Sequence, residues 1–265
     1  MMDKLVSVIV NCYNGEKYLK ETLKSIQSQK YLKWELIFWD NQSTDKSKEI
    51  FYSFKDERFK YFYADRHTTL YEARNLACKK SSGEFIAFLD CDDRWYENFL
   101  SAREIFFQDP KYDFSYSNCH LYFEKSNRKE LYSSNKLLSG KIYDFLSKKY
   151  LVNINSLIIK KSTLKKINFF DPRFNIIGDF DVVMKMSKNF NAFAVQEPLV
   201  SIRIHGKNFH DENRKMFFKE YKRWFLDQPD DIYFKKNKLL FLKKLLYLYF
   251  VSLFPKFIKD FFKKK

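Results

Sequence analysis

The chain has 265 residues, 45% apolar and 31% charged, a balance that excludes a disordered or collagen-like polymer and allows a sizeable buried core. Five Gly and five Pro leave little material for flexible linkers, and four scattered cysteines (Cys12, Cys78, Cys91, Cys119) without a C-x-x-C pair argue against a disulfide scaffold or a thiolate zinc site. With 49 Lys and Arg against 33 Asp and Glu the formal charge is +16, which points to an anionic partner: nucleic acid, phospholipid or a phosphorylated substrate.

The start, Met1-Met2-Asp3-Lys4-Leu5, lacks the basic flank, apolar stretch and cleavage site of a signal peptide, so a cytoplasmic protein is expected. Over the first ninety residues short apolar runs alternate with helix-spaced segments. Leu5 to Val10 is a β-branched strand, and Asn14 is a candidate cap for a helix faced by Tyr18, Leu19, Thr22, Leu23 and Ile26. Trp34 to Trp39 forms a second strand ending at Asp40; Ser43, Thr44 and Asp45 open a helix carrying Ile50, Phe51 and Phe54. Phe59 to Tyr63 is a third strand, Leu70, Ala73 and Ala77 line a third helix, and Glu84 to Leu89 is a fourth strand ending in Asp90-Cys91-Asp92-Asp93. This is βαβ patterning, which predicts a parallel sheet covered on both faces. Polar clusters follow each strand (Asn11 to Asn14, Asp40 to Ser43, Asp65-Arg66-His67, Asp90 to Asp93), and ligands of open α/β sheets bind beyond the carboxyl ends of the strands.

From Glu124 to Ser139 the sequence is rich in Lys, Ser and Asn and reads as loop or irregular strand. Val152 to Ile159 is a strand candidate, and Gly178-Asp179-Phe180-Asp181 opens a helix faced by Val182, Val183, Met186 and Phe190. Ile232 to Lys265 holds ten Lys against one acidic residue, Asp260, among Leu, Phe and Tyr; Lys243 and Lys244 break the apolar run, so an interfacial helix is favoured over a spanning one.

Asp90-Cys91-Asp92-Asp93 offers hard oxygens at a strand end, suited to Mg²⁺ or Mn²⁺ with substrate phosphate completing the shell. Its bland alternative is capping of a helix near Trp95, for which one Asp suffices. Asp40 ends its strand where a carboxylate can accept a hydrogen bond from a base or ribose.

Together these segments resemble the inverting glycosyltransferases of family 2, which have the GT-A fold: a Rossmann-like, mostly parallel sheet flanked by helices. The similarity rests on Val6 to Asn14, Gln27-Ser28-Gln29, Asp40 to Asp45, Ala73-Arg74-Asn75 and Gly83 to Asp93, and more thinly on Phe170-Asp171, Gly178 to Asp181 and Arg203-Ile204-His205-Gly206. The chain departs from the family at Asn11, where Pro or Thr is frequent, and at Gly178, where Glu commonly precedes the Asp. The resemblance implies a nucleotide-sugar donor, most often a UDP-sugar, a D-x-D metal site for Mn²⁺ or Mg²⁺, and inversion at the anomeric carbon. By it Asn11, Tyr13, Asp40 and Asp90 would hold the nucleotide-sugar, Asp92 and Asp93 the metal, and Asp179 would be the catalytic base; Asp181 is instead a candidate helix cap. His205 is either a further metal or diphosphate contact or a packed side chain. Residues 1–120 are then the nucleotide-sugar-binding half, 121–210 the acceptor-side half, and 211–265 a helical, basic, amphipathic extension expected to reach an anionic membrane surface at the inner face of the cell membrane. The acceptor would be a surface glycan or a lipid-linked sugar. Two other readings are weaker. A nucleotidyltransferase would need a basic, Gly-rich triphosphate loop, and the first turn has only Gly15; a nucleic-acid-binding protein would not explain the acidic rim, so no nucleic acid is expected.

Overall fold

The computed structural model describes residues 4–205, 213–228 and 230–253. In chain order the elements are β1 (Val6–Cys12), α1 (Leu19–Gln27), β2 (Trp34–Asp40), α2 (Ser47–Tyr52), β3 (Phe59–Tyr63), α3 (Leu70–Lys80), β4 (Phe85–Phe88), β5 (Arg94–Trp95), α4 (Glu104–Gln108) and β6 (Phe114–Phe123). There follow β7 (Arg128–Leu131), α5 (Tyr143–Lys148), β8 (Ile158–Lys160), α6 (Lys161–Lys166), α7 (Gly178–Asn189), β9 (Ala192–Ile204), α8 (Arg214–Leu226) and α9 (Ile232–Leu253). The described strands join one sheet in the order β3-β2-β1-β4-β8-β6-β9-β5, with β7 pairing with the C-terminal half of β6. The first four are parallel, as the alternation of strand and helix predicts. The chain moves outward from β1 to β3 and then returns to the other side of β1 with β4, so the topological switch point lies between β1 and β4.

Beyond β4 the sheet is mixed, not parallel. β8 runs antiparallel to both β4 and β6, β5 antiparallel to β9, and β6 parallel to β9. Strands β6 and β9 carry the second half of the sheet, and β9 hides from periodicity because it bulges around Pro198, where its register against β6 shifts. Val152 to Ile159 gives a strand only from Ile158; before it Ile154–Ser156 makes a helical turn. The helix expected near Trp95 is absent: Arg94 and Trp95 pair with Ser201 and Val200 instead. Asn14 caps nothing. It takes a left-handed φ of 54°, and its Oδ1 accepts the Thr44 N–H at 2.8 Å, tying the loop after β1 to the loop after β2.

Both faces of the sheet are covered. Val6, Val8, Val10, Leu36 and Phe38 pack on α1 and α2 through Leu19, Leu23, Ile26 and Phe51. Ile9, Ile37, Trp39, Ile86 and Phe88 point the other way, into a core shared with α3 and α7. This second core extends into the C-terminal helices. Tyr221 and Trp224 of α8 and Phe234, Phe241 and Leu248 of α9 are buried in it, and Asn237 donates to Asp144 of α5 at 2.9 Å. The segment read as an interfacial tail is therefore, through Leu253, a packed part of the fold, because Phe234, Phe241 and Leu248, at i, i+7 and i+14, share the face that closes this core. Residues 254–265, including Asp260 and the last five Lys, lie outside the described residues, as does Gly206. Truncating Phe241 to Ala should cost about 3–5 kcal/mol of unfolding free energy, the usual range for a buried aromatic, read by urea titration; a change below about 1 kcal/mol would mean α9 is not anchored there.

Candidate active site

The carboxyl ends of β1 and β4 open on the switch-point crevice, and the loop after each lies against the other. A Cβ on Gly15 would stand 2.7 Å from Cys12 Sγ and 3.1 Å from Cys91 Sγ, so only glycine lets the first turn pass this close to the D-C-D-D segment. Asn155, just before β8, holds that segment in place. Its Oδ1 accepts the Asp90 N–H at 2.7 Å, and its Nδ2 donates to Asp93 Oδ2 at 2.6 Å and to Asp90 Oδ2 at 3.2 Å.

The acidic residues have different fates. Asp90 Oδ1 takes a 2.5 Å hydrogen bond from Arg74, whose side chain is only 3% exposed. Asp92 faces outward, and its Oδ2 lies 3.1 Å from His205 Nε2, whose ring stacks on Tyr18. Asp93 is buried: Oδ1 accepts the Arg203 N–H at 2.6 Å, Oδ2 is held by Asn155, and neither oxygen reaches the rim. Arg203 also donates to the Asp92 carbonyl and to Glu21, locking the end of β9 over the loop. Burial, then the Asp90 charge, raises the Asp92 carboxyl above the usual range, although His205 offsets part of this. Burial and the charges of Asp92 and Asp90 raise Asp93 much further. Neighbouring carboxylate charges thus oppose the ionisation of Asp92 and Asp93, a condition that a bound cation would relieve.

Among the described residues no three His, Cys, Asp or Glu side chains form a ready ligand cluster. Asp92 and His205 do meet, and an oxygen and an imidazole on one side of a crevice fit a divalent ion whose other positions go to water and phosphate.

On the β2 side Asp40 is fully buried, with Oδ1 accepting the Ser43 N–H at 2.7 Å and Oδ2 the Tyr61 hydroxyl at 2.6 Å. It braces the loop. Asn11 lies next to Trp39 in the strand register; its two amide atoms and the Trp39 indole nitrogen are buried without a hydrogen-bond partner among the described residues. Tyr13 is exposed, its ring packed at 62° against His67 with centroids 4.5 Å apart, so the two form an open aromatic corner above β1 and β2.

Asp179 opens α7 on the far side of α3. Its Oδ1 accepts the Phe180 N–H at 2.8 Å and lies 3.1 Å from the Tyr71 hydroxyl. Burial raises its carboxyl, and the Arg74 charge opposes that shift. The preceding loop is fixed by Glu220 of α8, whose carboxylate accepts the N–H groups of Asn175, Ile176 and Ile177 at 2.8–3.1 Å. Asp181 is buried and paired with Lys185 at 2.6 Å one turn on. The structure thus gathers Asp90, Asp92 and His205 at one mouth, connects Asp179 to them through Tyr71 and Arg74, and keeps Asp40, Asp93 and Asn11 inside. Asn155, Tyr71 and Glu220 escaped sequence reasoning. Each acts on a residue 43 to 108 positions away, and no local spacing signals such a contact.

The sequence model of glycosyl transferase family 2 matches residues 7–185. A putative teichuronic acid biosynthesis glycosyltransferase of Bacillus subtilis is 26% identical over 90% of this chain and 91% of its own length. An Escherichia coli UDP-Glc:α-D-GlcNAc-diphosphoundecaprenol β-1,3-glucosyltransferase is 27% identical over 84% of this chain and 85% of its own. Among solved structures, Staphylococcus aureus TarS with UDP-GlcNAc superposes with a TM-score of 0.68 at 17% identity over 93% of this chain and 72% of that one. A Pyrobaculum calidifontis mannosyltransferase with GDP-Man and Mn²⁺ gives 0.64 at 17% identity over 92% and 69%. The half-parallel, half-mixed sheet with its flanking helices is the GT-A fold.

Proposed function

The chain belongs to glycosyl transferase family 2, and from that premise we propose that it moves a sugar from a UDP-sugar to a hydroxyl of a lipid-linked or surface-glycan acceptor, with a divalent cation and with inversion. The observation that carries this reading is the placement of Arg74, buried between the mouth that holds Asp90 and Asp92 and the carboxylate of Asp179. A donor diphosphate at the first and an acceptor hydroxyl at the second would lie on opposite sides of the sugar.

Tyr13 and His67 offer the uracil a ring surface, and Asp90 faces the ribose and diphosphate, while Asn11 and Asp40 shape the floor from inside. Asp92 and His205 would hold Mn²⁺ or Mg²⁺, with Asp93 as brace in place of ligand. When bound, the cation neutralises the diphosphate that departs. Asp179 Oδ2 takes the acceptor hydroxyl's proton as that oxygen bonds to the anomeric carbon, and the bond to the diphosphate oxygen breaks with its electron pair. In this reading residues 1–120 serve the donor and 121–210 the acceptor.

A lipid-linked acceptor is supported by the activity for which the Escherichia coli relative is named and by the outer face of α9. No helix of the described residues is long and apolar enough to cross a membrane. Yet Leu239, Leu242, Leu246, Phe250 and Leu253 are exposed, close to Lys235, Lys236, Lys238, Lys243 and Lys244. Apolar side chains for the lipid boundary and lysines for anionic headgroups suit peripheral attachment at the inner face of the membrane.

Asp179→Asn should keep UDP-glucose binding within about twofold and slow transfer to a GlcNAc-diphospho-lipid by roughly 10²-fold or more, measured in single turnover. Normal turnover would place the base elsewhere. Full-length protein should sediment with phosphatidylglycerol vesicles and less so at high salt, whereas Leu242→Glu with Leu246→Glu should stay in the supernatant with its thermal midpoint unchanged; equal sedimentation of both proteins would rule out the α9 face.

A further inference from the structure

Gly178 begins α7 directly beside Tyr71. A Cβ built on Gly178 would stand 2.5 Å from two atoms of the Tyr71 ring, so no side chain fits there while Tyr71 keeps its place. The ring is 2% exposed and stacks on Phe170 with centroids 5.3 Å apart, which fixes its position. Its hydroxyl lies 3.1 Å from Asp179 Oδ1 and 3.0 Å from the Ile176 carbonyl. One phenol proton serves one acceptor at a time, and an ionised carboxylate is the stronger. Once Asp179 is protonated on Oδ2 its carboxyl is a weaker acceptor, and the phenol can turn to the Ile176 carbonyl. Oδ1 also accepts the Phe180 N–H, whereas Oδ2 has no hydrogen-bond partner among the described residues. The two oxygens of Asp179 are therefore unequal.

We propose that Tyr71 is a positioning residue for Asp179: it fills the room that Gly178 leaves, engages Oδ1, and leaves Oδ2 to take the acceptor's proton. This rests on the reading of Asp179 as the base. The phenol stays neutral and keeps its proton throughout, and the acceptor's proton ends on Oδ2, so no further reactant is needed. It also gives a physical meaning to a glycine at a position where a longer side chain would displace the ring.

The test is the titration of Asp179, followed by NMR of protein labelled with ¹³C at the aspartate carboxyl carbons, its resonance assigned by its loss in Asp179→Asn. A hydrogen bond donated to the ionised form favours that form. Tyr71→Phe should therefore shift the titration upward, and 3-fluorotyrosine placed at 71, a stronger donor of nearly the same shape, should shift it downward. Arg74 on α3, Asp90 after β4, Tyr132 after β7 and Tyr150 after α5 also act on Asp179 electrostatically and are common to all three proteins. In transfer from UDP-glucose, Tyr71→Phe should lower kcat about tenfold with the donor KM unchanged. If Asp179 titrates alike in the wild type and in Tyr71→Phe of equal thermal midpoint, the proposal is wrong; should the Phe variant not fold, an unmoved titration in the fluorotyrosine protein overturns it equally. Normal transfer by Asp179→Asn would instead sink the base assignment, so the two failures are distinct.

Discussion

The site depends on how the protein keeps Arg74 charged inside its core. Burial works against that charge, while Asp90 at 2.5 Å, with Tyr71 and Asp179 nearby, outweighs it and holds the proton in place. Arg103 is the contrast. It is equally buried, but its partners are the Phe99 and Ser156 carbonyls with no carboxylate, and its affinity for the proton is pulled down to about 9. Replacing Asp90 would leave the buried Arg74 guanidinium with only Tyr71 and Asp179 nearby to favour its charge. The position of α3 and the reach of the D-C-D-D loop are thereby coupled, and in the proposed reading the donor and acceptor sides share one electrostatic centre.

That coupling explains the division of labour among the acidic residues. Asp90 balances Arg74, Asp93 receives the end of β9, and Asp40 receives the loop after β2. Asp92 is left facing solvent with His205. The protein thus surrounds one outward carboxylate with inward ones whose hydrogen bonds hold the loops rigid, the preorganisation that the proposed diphosphate and cation would require.

The sequence made the first ninety residues legible because strand and helix alternate there with their own periods, and the strand ends collect the polar residues. The D-C-D-D segment was readable for the same reason. Beyond β4 the chain builds the sheet from distant pairings, β6 with β9 and β4 with β8, where a three-residue strand and a proline-bearing one leave no period to follow. Asn155 is hidden because its worth lies in three hydrogen bonds to residues more than 60 positions away. The C-terminal helices misled in another way. Lysines among aromatics read as a surface anchor, yet Phe234, Phe241 and Leu248 share one face of α9 and that face closes the core, leaving the leucines of the opposite face outside.

The most direct test of the account is a calorimetric titration of UDP into the wild-type protein and Asp92→Asn, each with Mn²⁺ and with EDTA. A rim of carboxylates that accepts a diphosphate only through a cation predicts binding to the wild type that weakens at least about tenfold in EDTA, and weak binding to Asp92→Asn that Mn²⁺ does not restore. Equal affinity of the wild type for UDP with and without Mn²⁺ would contradict it.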